Sequence, residues 1–115
     1  MRAGRFELIY RDDVWGELER RGATVAMVPF SDRAGHGGTV GTITLSRVDG
    51  GELVEVERWS GRDELAYALE AAVWDRFGQF NGHPRIRGTV TWLLADRVVL
   101  IGGERGDVPF EEVVR

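Results

Sequence analysis

The stretch from Ser60 to Phe77 constrains this chain more than any other, because Leu65, Ala68, Leu69, Ala72, Val73 and Phe77 recur at the three-and-four spacing of one helical face. At about 100° per residue these side chains make a single apolar stripe, and a stripe of that kind needs an apolar layer to lie on. Ser60 followed by Asp63 fits a cap in which the hydroxyl accepts from a free amide of the first turn. The segment is therefore expected to be the principal helix.

The rest of the chain reads mainly as strands. Phe6, Leu8 and Tyr10 alternate with Glu7, Ile9 and Arg11, the pattern of a short strand. A shorter helix is expected from Asp12 or Asp13, with Val14, Trp15 and Leu18 on one side, Arg20 and Arg21 in the last turn and Gly22 as its left-handed stop. Gly16 weakens it, since an interior glycine costs about 1 kcal/mol relative to alanine. Thr24 to Phe30 is an apolar, β-branched run whose Pro29 predicts that the strand leaves its sheet there.

The glycine-rich loop Ser31 to Gly38 precedes a strand from Thr39 to Val48, with Ile43 and Leu45 on one face and Thr42, Thr44 and Ser46 on a wetter one. Asp49-Gly50-Gly51 predicts a tight hairpin, with Glu52 to Trp59 returning and Val54 and Val56 inward. A second loop runs from Gly78 to Pro84. Arg85 to Leu94 and Arg97 to Gly103 form a further hairpin through Ala95-Asp96, and Val108 to Val114 adds an edge strand. The fold expected is a single α+β domain over residues 1–115: a mostly antiparallel, curved sheet of five to seven strands, with one long helix packed on one face and one short helix.

Composition acts mainly by exclusion. All 15 basic residues are arginine, and the chain contains neither lysine nor cysteine. Schiff-base chemistry, a phosphate-loop lysine, thiolate catalysis, disulfides and thiolate metal ligands are all ruled out. Codon bias in a GC-rich bacterial genome is the simplest reason for the missing lysine. A net charge of −4 argues against nucleic-acid binding. No apolar run approaches the ~20 residues of a membrane span, and no signal-peptide core is visible, so a cytoplasmic setting is expected.

Three groups of residues are candidates for function. Arg33, His36 and Arg62, with Gly61, are expected near the N-terminus of the principal helix, where free amides and the dipole favour a phosphate or carboxylate. His36 would be the proton carrier there, with Asp32 or Asp63 orienting it and Ser31 nearby. Asn81, His83 and Arg85 form a second polar cluster beside Phe80. A meander puts His83 roughly 20 Å or more from His36, which argues against a shared metal site, and no cofactor is implied. Tyr67 and Trp74 project away from the helix stripe, where large aromatics point to cover by another element or by a second chain. Arg87, Thr89 and Thr91 carry no interleaved aromatic that would suit single-stranded nucleic acid.

The leading reading is a non-enzymatic binding or protein-interaction module (an adaptor, regulator or inhibitor), homodimeric through Tyr67 and Trp74. The rival is a small enzyme or pathway accessory that encloses an anionic or polar metabolite between sheet and helix, using Arg33, His36 and Arg62 with Trp92 lining the cavity.

Overall fold

The computed structural model describes residues 11–33, 37–60, 64–77 and 86–114. The elements in chain order are α1 (Arg11–Arg20), β1 (Val25–Arg33), β2 (Gly37–Val40), β3 (Ile43–Asp49), β4 (Glu52–Trp59), α2 (Glu64–Phe77), β5 (Ile86–Leu93), β6 (Val98–Arg105) and β7 (Val108–Val114). The strand expected at Phe6 to Arg11 lies outside the described residues, apart from Arg11, which opens α1.

Six strands form one sheet in the order β4-β3-β1-β5-β6-β7, with β2 attached as an extra arm on the end of β1. Every neighbouring pair is antiparallel. Together with the two helices this is an α+β fold. The covering layer is not the single long helix expected from the periodicity; α1 has 10 residues and α2 has 14, and α2 touches α1, β1 and β5. Leu65, Leu69 and Val73 of α2 and Val14, Trp15 and Leu18 of α1 enter the same core cluster, so two short amphipathic helices share one task.

The layers are tied together by Trp92. Its indole is 2% exposed, donates its N–H to the Leu69 carbonyl oxygen at 2.9 Å, and meets Trp15 edge to face at 5.3 Å between ring centres. Its cross-strand partner is Ala26, whose small side chain leaves room for the ring. Ala26, Val28, Phe30, Ile43, Leu45, Ile86, Val90, Val99 and Ile101 complete the sheet side of the core.

Gly22 stops α1 as expected. It has φ 76°, its N–H donates to the Glu19 carbonyl, and the Ala23 N–H reaches back to that of Leu18 at 2.9 Å, which together make a Schellman motif. Ser60, expected to cap the principal helix, shares a hydrogen bond through its Oγ with Thr42 Oγ1 at 3.1 Å, and the first-turn residues 61–63 that it would cap lie outside the described residues.

Two bulges reshape the expected strands. Phe30 pairs with Val40 and Met27 with Thr44, so two residues of β1 face three of the partner chain, and the strand expected from Thr39 to Val48 divides at Gly41–Thr42. Pro29 sits opposite that break. Its carbonyl accepts from the Gly41 N–H at 2.9 Å, on the side where a proline N–H would also have been required, so the break lets β1 continue through Pro29 to Arg33 rather than leave the sheet. In the second bulge, Leu45 pairs with Glu57 and Ser46 with Glu55, leaving Val56 unpaired. Val54, expected inward, pairs with Arg47 beyond the bulge and is exposed as Arg47 is, toward the hairpin turn at the sheet edge. Ser46, expected on a wet face, is buried.

The hairpins follow their turn residues. Gly50 and Gly51 both have positive φ (62° and 86°) between Asp49 and Glu52, which suits a type I′ turn, and the tail is an edge strand as expected.

The C-terminus of α1 is fastened to β4 by Arg21, which donates to Glu17 at 2.8 Å and to both carboxylate oxygens of Glu57 at 3.2 Å, and stacks on Trp59 at 5.7 Å. Arg20 also pairs with Glu17. Burial alone would raise the Glu17 carboxyl, but the hydrogen bond and charge of Arg21, with Arg20, outweigh it and hold the pKa below the usual carboxylate value. A depressed native pKa contributes stability that is fully present above the unfolded value of about 4.3 and disappears as the pH falls through the native one. Urea unfolding at pH 7 and pH 3 should therefore show wild type losing more stability on acidification than Glu17→Gln. Equal losses would remove Glu17 from the acid response.

Candidate functional site

An open cavity of about 490 Å³ lies where the end of β1 meets the start of β5 and the end of β6. Its lining is Pro29, Phe30, Ser31, Gly41, Arg87, Gly88, Gly103 and Glu104. Three of these positions have no side chain, for reasons written into the strand geometry.

Gly88 and Gly103 are cross-strand partners. A Cβ on Gly88 would stand 1.9 Å from the Gly102 carbonyl oxygen, and one on Gly103 would stand 2.0 Å from that of Arg87. Gly103 also has φ 154°, a conformation open essentially to glycine alone. At Gly41 a Cβ would press on the Pro29 ring at 3.2 Å. Part of the cavity wall is therefore bare backbone, flat and free of branched side chains, beside the Pro29 ring.

The polar part comes from the next cross-strand pair. Arg87 Nε and Nη2 donate to Glu104 Oε1 at 3.1 and 2.9 Å. Both side chains are more than 40% exposed, so the pair adds little to stability and is available to a ligand. Ser31, the partner of Arg87 on the β1 side, completes the row.

The residues singled out from sequence are placed differently. Arg33 ends β1 opposite Gly37 in the β1–β2 hairpin. His36, Gly61 and Arg62 lie outside the described residues, as do Phe80, Asn81, His83 and Arg85. Trp92 is a core residue with its N–H engaged by α2, and it is absent from the cavity wall. Tyr67 is half-buried on α2; Trp74 lies in the same helix, with its side chain outside the description. Because β5 runs antiparallel to β1 and Arg87 pairs with Ser31, the chain enters β5 at the same end of the sheet as the β1–β2 hairpin. A simple meander would put the segment before β5 at the opposite end.

Among the described residues no three histidine, aspartate or glutamate side chains converge as a metal site would require, and no helix is long and apolar enough to cross a membrane. The cavity had a signal in the sequence: a hairpin centred on Ala95-Asp96 pairs Gly88 with Gly103 and Arg87 with Glu104 by counting outward from the turn. Comparison of the sequence with protein-family models and with curated proteins, and of the fold with solved structures, finds no match.

The glycine pair makes a sharp contrast with Gly16, which lies in α1 with open space around its Cβ position. Gly88→Ala should lower the unfolding free energy by about 3 kcal/mol or more, as an overpacked site with backbone on the far side does. Gly16→Ala should raise it by about 1 kcal/mol. Urea midpoints read both, and a tolerated Gly88→Ala would show that the strands are not held this close.

Proposed function

We propose that this chain is a cytoplasmic, non-enzymatic binding module that holds a small polar ligand in the β1–β5–β6 cavity. The observation that supports the reading is the cavity itself: its volume is about 490 Å³, and pockets for small ligands run from roughly 300 to 1,000 Å³ with a few placed polar groups on a largely apolar wall. Arg87 and Glu104 supply the polar groups, and Pro29 with the glycine backbones supplies the wall. This replaces the sheet-and-helix pocket built on Arg33, His36, Arg62 and Trp92, because no α2 residue belongs to the described lining.

A thermal-shift screen of neutral amides, nucleosides, carboxylates and phosphates tests it. A ligand present at about a hundred times its Kd should raise the unfolding midpoint by several degrees. The Arg87→Ala, Glu104→Ala double variant, changed only at exposed positions, should keep its own midpoint and lose that shift. A flat screen would count against the cavity as a binding site.

A second reading, an interaction module that pairs with a protein partner or a second copy of itself, is favoured by one observation. Val48 and Leu53, cross-strand partners in the β3–β4 hairpin, are 59% and 52% exposed, on the strand pair that ends the sheet. In this reading the hairpin joins Tyr67 and Trp74 as candidate contacts. Light scattering should then give a dimer for wild type and a monomer for Leu53→Glu or Trp74→Glu. A monomer throughout would end the homodimer idea.

A further inference from the structure

We infer that the sheet face turned away from both helices is the contact surface of a homodimer, two copies stacked sheet on sheet; this rests on the interaction reading above. Of the contacts named there it keeps the β3–β4 hairpin and leaves out Tyr67 and Trp74, because α1 and α2 both meet the sheet on the Trp92 side. Residues paired across neighbouring strands share a face, and the register sets Val25 beside Leu93 and Val98, and Met27 beside Thr91, Leu100 and Val113. These positions alternate with Ala26, Trp92 and Val99, which enter the core under the helices, and none of the six apolar ones belongs to that core or packs against it. Ser46 and Glu55 continue the Val25 row, and Val48 and Leu53, two residues further along their strands, carry the apolar strip to the corner of the same face.

Charge lies at the rim, where Arg58 pairs with Glu55, Arg87 pairs with Glu104, and Glu111 stands on the edge strand. An apolar centre inside a polar rim is the anatomy of a protein interface, and a second copy would meet ion pairs that are already compensated rather than bare like charges. Six strands of seven to nine residues span roughly 700 Å² at ~4.8 Å between strands and ~3.3 Å per residue, before side-chain relief is counted. A stable interface takes roughly 800 Å² from each partner, and two such faces stack about 10 Å apart in a sandwich. The sheet edges suit a second copy less well: β4 carries the bulge at Val56 and β7 carries Pro109, and both features oppose strand addition.

Sedimentation equilibrium of the full chain should give a dimer, and Leu100→Glu, in the middle of the strip, should raise its dissociation constant at least about tenfold, a difference of about 1.4 kcal/mol. Val113→Glu changes a side chain that is 59% exposed, so it should weaken the dimer without disturbing the core, and it decides the matter if Leu100→Glu fails to fold. Trp74→Glu should leave the dimer intact. Circular dichroism of each variant separates lost association from lost folding. If the wild type is a dimer that Trp74→Glu splits and the sheet variants do not, the inference falls while the interaction reading stands, with its contact on α2. If the wild type is a monomer at every concentration, the inference falls and the interaction reading is left with a different partner only.

Discussion

The indole of Trp92 is the joint on which the two layers depend. A sheet of this size presents one apolar face, and two helices of 10 and 14 residues are too short to be stable in water without tertiary contacts. Trp92 gives them a common floor. Its ring meets Trp15 of α1, its N–H meets the Leu69 carbonyl of α2, and its strand lies beside β1 near the middle of the sheet. The hydrogen bond matters as much as the area, since a buried indole N–H without an acceptor would cost the full desolvation of the donor. Trp59 illustrates the contrast: its Nε1 is buried with no partner among the described residues, and the residue sits at the periphery under Arg21 rather than at the centre.

From that joint outward, the sheet becomes progressively less regular, and the irregularity is what makes a cavity. Near Trp92 the β1, β5 and β6 strands pair without interruption. Toward the other end, Pro29 forces a bulge in the chain facing it, and the Gly88–Gly103 pair brings backbone against backbone. Only glycine allows that approach, and the Arg87–Glu104 pair stands beside it on the cavity wall.

Much of the fold was legible because its signals are local. Gly22, Asp49-Gly50-Gly51 and Ala95-Asp96 end or reverse their elements where turn chemistry says they should, and Leu65, Leu69 and Val73 fall on the buried side of α2. What was not legible depends on partners far away in the chain. Pro29 ended the strand when β1 was read alone, but it is accommodated because the strand beside it breaks at Gly41–Thr42. Val54 reads as inward under strict alternation, yet its part of β4 pairs with the exposed end of β3, beyond the cover of the core. Trp92 has the same composition signal whether it lines a pocket or fills a core, and only the Leu69 carbonyl decides between them. The site was missed because periodicity draws the eye to large residues, while the informative ones here are glycines whose register across a hairpin had to be counted.

The absence of lysine also acquires a structural consequence, whatever its origin. Every salt bridge among the described residues is made by a guanidinium, and a guanidinium can serve several acceptors at fixed angles. Arg21 binds Glu17 and Glu57 while its plane covers Trp59, joining a helix end to an edge strand with one side chain. An ammonium in that place would satisfy the carboxylates as a point charge and leave the ring uncovered. The same property operates at Arg87, where Nε and Nη2 donate together to one carboxylate oxygen of Glu104. An ion pair made by lysine would present its charge without a directed second donor. Where arginine stands, two directed donors fix the orientation of the pair, and both of its residues line the cavity.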